Sequence, residues 1–319
     1  MTASTKTIVV LGATGQQGSA LIHFLAESNV FLPKYDIIAL TRVTRSKSAQ
    51  RLAQIPRVKV VAVPKDVMDE PERSFAQIGL KKGEVYGMFS VQGYVDAKTE
   101  TRQGKAVVDA AQKLGVEHFI HSSTDIGFNV KIVVEDYIKT LDPPMGYTML
   151  RPAQFMDNLL PTASFMFKMG RTVLLQRTFT HHPERKHQMI SARDIGRAGA
   201  MALEHPDQWK GREIRLAGDE FTMPELQKIY SEIMGRPIET APWILGLMVK
   251  SFVSLMSEAA GVSGWLRKLL QSEDDRSYPL TAQFWDDVGY GIDIPALKKD
   301  MPELEDLRTF LTRYKEARK

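Results

Sequence analysis

Cysteine is absent from all 319 residues, which excludes disulfides, thiol nucleophiles, thiolate-bound metal and iron–sulfur clusters together. Such a chain suits a reducing cytosol. Strong charge of one sign is missing as well. The 42 Lys and Arg face 38 Asp and Glu, and a net charge of +4 serves an anionic cofactor as readily as a nucleic acid, so nucleic acid is not an expected partner. Long apolar runs are lacking. The most apolar late segment, Trp243 to Val262, is interrupted by Lys250, Ser251, Ser254, Ser257 and Glu258, so it is expected to be a buried or cleft-lining helix without stable membrane insertion. Histidine is sparse, and His181-His182 has no third ligand at a recognised spacing, so no metal is expected and a solvated loop is. The opening residues Met1 to Thr7 lack the basic region and apolar stretch of a secretory leader, which makes the cytoplasm the expected location.

What is present is an ordinary globular composition, 43% hydrophobic and 25% charged, so a packed core is expected. Thr7-Ile8-Val9-Val10-Leu11 is a β-branched run without polar alternation, the pattern of a parallel strand buried on both faces, and is expected at the centre of a sheet. A helical stripe of Leu21, Ile22 and Leu25 follows. Further strands are expected at Asp36–Leu40, Val58–Val63, Val85–Ser90, Val116–Ser122 and Tyr147–Leu150. Helices are expected around Ser46 to Gln54, Glu70 to Ile78, Ala97 to Leu114 and Lys131 to Leu141. Strands alternating with helices at this spacing predict an α/β fold with a doubly wound parallel sheet. Beyond Arg151 the alternation loosens. The expected organisation is a dinucleotide-binding domain over 1–154, with elements returning to it near 188–218. A smaller, mostly helical substrate or cap domain is expected from 155–187 and 219–319.

Between the first strand and first helix stands Gly12-Ala13-Thr14-Gly15-Gln16-Gln17-Gly18. In that context three glycines form the phosphate-binding turn of a Rossmann-type fold. Gly12 permits the tight turn, Gly15 admits the pyrophosphate, and Gly18 lets helix and strand pack closely, while Thr14, Gln16 and Gln17 offer donors. The second strand ends in Leu40-Thr41-Arg42, with Arg45 and Lys47 beyond. The acid that receives the ribose hydroxyls of NAD is not there. Arg42, with Lys47 nearby, instead favours the 2′-phosphate of NADP, a surface arginine being the alternative. Asp66 reads equally as an adenine-edge contact or a helix start.

The chain resembles the NmrA-like family of atypical short-chain dehydrogenases, which is similar in turn to the isoflavone-reductase-like proteins. The resemblance rests on the glycine turn and four further stretches. These are Gln103-Gly104-Lys105 with Asp109-Ala110-Ala111; Gly115-Val116-Glu117-His118-Phe119-Ile120 with Ser122-Ser123; Tyr147 through Asn158; and Arg193-Asp194-Ile195-Gly196. It implies a cleft near the carboxyl ends of the strands. Around the cofactor it places Ser90, Val91 and Gln92 after the fourth strand, Ser122 after the fifth, and Ala153 and Phe155 beside the nicotinamide, the last two reading equally as core. Short-chain dehydrogenases place a proton-donating tyrosine four residues before a lysine; here Gly127 stands four before Lys131, and the tyrosine is missing. The isoflavone-reductase-like enzymes lack that tyrosine too and are thought to use the lysine, so Lys131 is the candidate catalytic residue and also a candidate cofactor contact. A lysine between a nicotinamide and an apolar wall can exchange protons near neutrality, although it can equally hold the ribose or lie exposed. Tyr137 faces away from Lys131 on the helix and is expected in the core.

The expected function is an NADPH-dependent reduction of a small organic carbonyl, imine or activated alkene. The alternatives are a non-catalytic NADP(H) sensor acting through a protein partner, and a binding module recruiting proteins through its C-terminal helices.

Overall fold

The computed structural model describes residues 6–28, 34–63, 67–93, 97–125, 129–163, 184–238 and 289–318. The chain divides into two compact units. One comprises Met1–Thr124, Phe128–Arg151 and Ala192–Arg215; the other comprises Asp125–Gly127, Pro152–Ser191 and Leu216–Lys319.

The first unit holds β1 (Lys6–Val10), α1 (Gln16–Glu27), β2 (Tyr35–Thr41), α2 (Lys47–Leu52), β3 (Val58–Ala62), α3 (Pro71–Gln77), β4 (Val85–Val91) and α4 (Ala97–Leu114). It continues with β5 (His118–Ser122), α5 (Asn129–Lys139) and β6 (Tyr147–Pro152). Its sheet runs β3-β2-β1-β4-β5-β6 and ends on a later strand, Arg212–Leu216. Each pairing from β3 to β6 is parallel. The chain order reverses between β1 and β4, so the crevice at their carboxyl ends is the switch point where open α/β sheets bind ligands. The expected strand at Thr7–Leu11 is therefore interior and beside that crevice, but third of seven, because three strands follow β4 on its far side.

The sheet is covered on both faces. On one, α4 and α5 bury Val107, Val108, Ala111, Val134 and Ile138 against Met88, Phe119 and Met149. Removing a buried aliphatic side chain there would cost about 2–5 kcal/mol. On the other, α1 packs against α6 (Ala192–Glu204) so closely that a Cβ on Gly196 would lie 2.6 Å from the Leu21 nitrogen. The Arg193-Asp194-Ile195-Gly196 stretch thus includes a packing requirement. A short α7 (Pro206–Trp209) precedes the strand Arg212–Leu216. Tyr137 is half-buried and packs against the edge of the core under α4 and α5, with its hydroxyl donating to Asp109 at 2.6 Å.

In the second unit, β7 (Gln154–Phe155) pairs parallel with β8 (Lys186–Ile190), which pairs antiparallel with a strand at Asp219–Thr222. With the first-unit strand Arg212–Leu216 as β9, that strand is β10. Thr222 and Glu225 form a capping box at the start of α8 (Met223–Met234), and Gly235 ends it in the left-handed conformation. Leu226 and Tyr230 of α8 join Phe310 and Leu311 of α10 (Leu307–Glu316) in a separate core; α9 (Ile294–Asp300) precedes α10. The expected helix around Trp243–Val262 and the pair His181-His182 lie outside the described residues. No described helix is long and apolar enough to cross a membrane, and no described cluster of His, Asp and Glu could hold a metal.

Candidate functional site

The glycine turn has the geometry of an anion cradle. Gly12 sits at φ +69, and a Cβ on it would lie 2.8 Å from Cγ1 of Val91, so both backbone conformation and space require glycine. A Cβ on Gly18 would meet the Gly12 carbonyl oxygen at 2.5 Å. Helix α1 therefore starts almost in contact with the turn. Its N-cap is Gly15, with no side-chain cap and no acid in the first turn. The unpartnered N–H groups and positive dipole end are left for a ligand anion, where a Ser, Thr or Asp would otherwise accept. These features fit a dinucleotide pyrophosphate.

The residues around the turn are drawn together by identifiable contacts. Leu11 N–H donates to the Phe89 carbonyl at 2.9 Å, bringing the end of β4 beside the turn. Ser90 is fully buried and accepts from the Gln92 amide at 3.0 Å. The Thr14 and Thr41 hydroxyls lie 3.4 Å apart, joining the turn to the end of β2. Arg42 comes next and is exposed, as are Arg45 and Lys47; none of the three forms an ion pair among the described residues. Ser46 meanwhile caps α2 through Ala49 N–H, which holds the loop in place. The Gln17 side-chain carbonyl accepts from the Ser122 hydroxyl at 2.6 Å, which leaves its amide nitrogen and backbone N–H as donors at the turn. That bond ties α1 to the end of β5. Gln16 makes no contact that assigns it a role, and Asp66 lies outside the described residues.

Lys131 stands in the first turn of α5, but its ammonium does not face an open apolar wall. It is buried, 3.0 Å from Oε1 of Glu100 in the first turn of α4, and both side chains are about nine-tenths buried. The contact is an ion pair without the alignment of a hydrogen bond. Beneath it His121 of β5 is fully buried, its ring close to the Lys131 backbone. Burial, reinforced by the Lys131 charge, pushes its pKa down to about 3, so the ring is neutral. Ser123 is buried, and its hydroxyl has no hydrogen-bond partner among the described residues. Glu100 and His121 were not anticipated as site residues. Ala153 and Phe155 belong to the second unit. There Ala153 N–H donates to the Leu216 carbonyl at 2.8 Å, and Phe155 is half-buried in β7.

The turn geometry separates two glycine substitutions. Gly15→Val is expected to fold, since Gly15 has an ordinary φ and a Cβ there meets only the Gly12 oxygen at 3.1 Å, yet to lose dinucleotide binding because its branches enter the cradle. Gly18→Ala is expected to lose roughly 1–3 kcal/mol of stability by overpacking rigid backbone. Circular dichroism melts and calorimetry with NADPH read the two effects; wild-type affinity in a folded Gly15→Val protein would place the cradle elsewhere.

Comparison with known proteins adds three likenesses. An NmrA-like family domain-containing oxidoreductase from Aspergillus flavus is 24% identical over 177 residues, covering 50% of each chain, so the chain spans about half the length of this curated relative. The triphenylmethane reductase of Citrobacter sp., solved with NADP(H), is 19% identical with a TM-score of 0.62 over 97% of this chain and 99% of its own. NmrA, a negative transcriptional regulator solved with NADP, is 17% identical with a TM-score of 0.61 over 97% and 95%. At these identities the two solved structures establish a shared fold. The family model for NmrA-like proteins matches residues 4–243, most of the chain, and the protein belongs to the NmrA-like family.

Proposed function

We propose that the protein is an NADPH-dependent reductase of a small organic carbonyl, imine or activated alkene, with Lys131 as its proton-handling residue. The observation that carries this reading is the pairing of two features at the carboxyl edge of one sheet. One is a glycine cradle for a pyrophosphate; the other is a buried ammonium at the start of α5. When bound, the cofactor supplies hydride; the chain's own part is to orient, to exclude water and to hold a proton at Lys131 Nζ. Gly12, Thr14, Gly15, Gln16, Gln17 and Gly18 are assigned to the pyrophosphate side. Ser90, Val91, Gln92, Ser122, Lys131, Ala153 and Phe155 are assigned along the remainder of the cofactor. The oxidoreductase name of the Aspergillus relative and the NADP(H) complex of the triphenylmethane reductase support the assignment.

Arg42 and Lys47, exposed and without ion-pair partners among the described residues, are assigned to the 2′-phosphate. A charge-assisted contact of that kind contributes roughly 1.5–3 kcal/mol, so Arg42→Ala should weaken NADPH binding about 10- to 150-fold and leave NADH binding nearly unchanged. Calorimetry on both proteins reads this directly. Equal affinity of the wild type for NADPH and NADH would remove the assignment.

A second reading has its own observation. The Lys131 ammonium is already engaged by Glu100, and the family's tyrosine position is Gly127, which favours a sensor that binds NADP(H) and signals to a protein partner. The decisive experiment follows NADPH absorbance over a panel of ketones, imines and enones. Turnover establishes the reductase; tight NADPH binding with no turnover across the panel establishes the sensor.

A further inference from the structure

We propose that Glu100 is a positioning residue for Lys131, holding its side chain at the carboxyl edge of the sheet as a charged ammonium. This rests on the reductase reading only for its catalytic consequence. The charge argument concerns the folded chain itself.

Lys131 occupies the third position of α5, where the positive end of the helix dipole repels a cation. Its side chain is also about nine-tenths buried, and burial disfavours an ammonium further. Both influences disfavour a positive charge at this place, and a counter-charge offsets them. His121, beneath it on β5, is neutral, so it supplies none. Glu135, the next acid on α5 itself, is committed to Arg151, whose Nε lies 3.1 Å from both carboxylate oxygens. On α4, the other helix against this site, Glu100 is the acid within ion-pair distance. Glu100 lies in the first turn of α4, where the dipole favours an anion. The two helix starts thus carry opposite charges, and only the α4 charge agrees with its own helix. Glu100 therefore supplies the counter-charge that α5 itself does not offer.

The consequence for turnover is specific. With the proton held on Nζ, Lys131 is an acid ready to protonate the atom that gains negative charge on reduction; after that transfer the amine takes its proton back from solvent.

The test uses cofactor-free protein labelled with 15N at lysine, observed by proton-detected NMR of ammonium groups near neutral pH. Lys131→Arg assigns the Lys131 signal by its disappearance. The wild type should show a slowly exchanging Lys131 ammonium, Glu100→Gln should lose it, and Glu100→Asp should retain it with hydrogen exchange at least about threefold faster, because the shorter acid keeps the charge at a longer reach. A Lys131 signal that persists unaltered in Glu100→Gln, or that the wild type lacks, overturns the proposal. If Glu100→Gln fails to fold by circular dichroism, Glu100→Asp decides, and exchange equal to wild type overturns it. In the reductase assay Glu100→Gln should lower kcat at least about tenfold with the KM for NADPH held within about twofold, and Glu100→Asp should recover most of the loss. Absence of wild-type turnover would end the reductase reading while leaving the ammonium spectra to decide the role of Glu100.

Discussion

Lys131→Met is expected to reduce NADPH-dependent turnover by roughly 10²- to 10⁴-fold, the range for removing a general acid or base. The burial of the ion pair makes this more than a single substitution experiment. Taking away the ammonium leaves the Glu100 carboxylate buried without a counter-charge, and breaking one side of such a pair costs on the order of 3–5 kcal/mol. That is a large fraction of the 5–15 kcal/mol typical of a folded domain, so lost activity in the single variant would be confounded with lost fold. The double variant Lys131→Met with Glu100→Leu removes both charges, and replacing a buried pair by apolar residues of similar volume is often neutral. It should melt near the wild type, still bind NADPH through the glycine cradle, and remain inactive. Recovery of activity in the double variant would show that Lys131 takes no part in the chemistry.

The first unit was legible because its signals are local. Buried parallel strands are short β-branched runs, the helices between them carry 3.6-residue stripes, and the glycine turn lies where strand meets helix, so β1 to β6 and α1 to α5 follow their expected positions within a few residues. Glu100 was missed although its signal was present. It precedes Gly104, Val107, Val108 and Ala111 on one helical face, and a carboxylate continuing such a stripe is a charge carried into the core. Lys131 continues the stripe of Val134 and Ile138 in the same way, so two stripes ending in opposite charges on neighbouring helices imply an ion pair. The bond between Gln17 and Ser122 had no such signal. It joins residues 105 apart in the chain, and only the sheet order, with β1 two places from β5, brings them together.

Lowering the pH from about 7 to about 5 is expected to remove about 4 kcal/mol of stability, through two histidines on β5. His118 places Nε2 2.8 Å from the Thr148 hydroxyl, which itself donates to the Trp209 carbonyl at 2.8 Å. The single Thr148 proton is therefore committed, so His118 must donate from Nε2, leaving Nδ1 bare and without a hydrogen-bond partner. A second proton would go to that buried nitrogen. Burial, with a smaller contribution from Lys210, pushes the His118 pKa down to about 3, and burial with Lys131 does the same at His121. The unfolded chain takes up both protons as pH falls through the ordinary histidine value of 6.5, whereas the folded chain refuses them until about 3. The stability is thus fully present above 6.5 and is lost as pH falls from there toward 3. At about pH 5 each histidine has cost about 2 kcal/mol, from 1.36 kcal/mol per unit. Urea unfolding at the two pH values should show the loss in the wild type. His118→Gln, which can still donate to Thr148, and His121→Leu should each reduce the pH-dependent part by about half. A wild type equally stable at both pH values, or variants that lose as much as the wild type does, would show that these rings accept protons inside the fold.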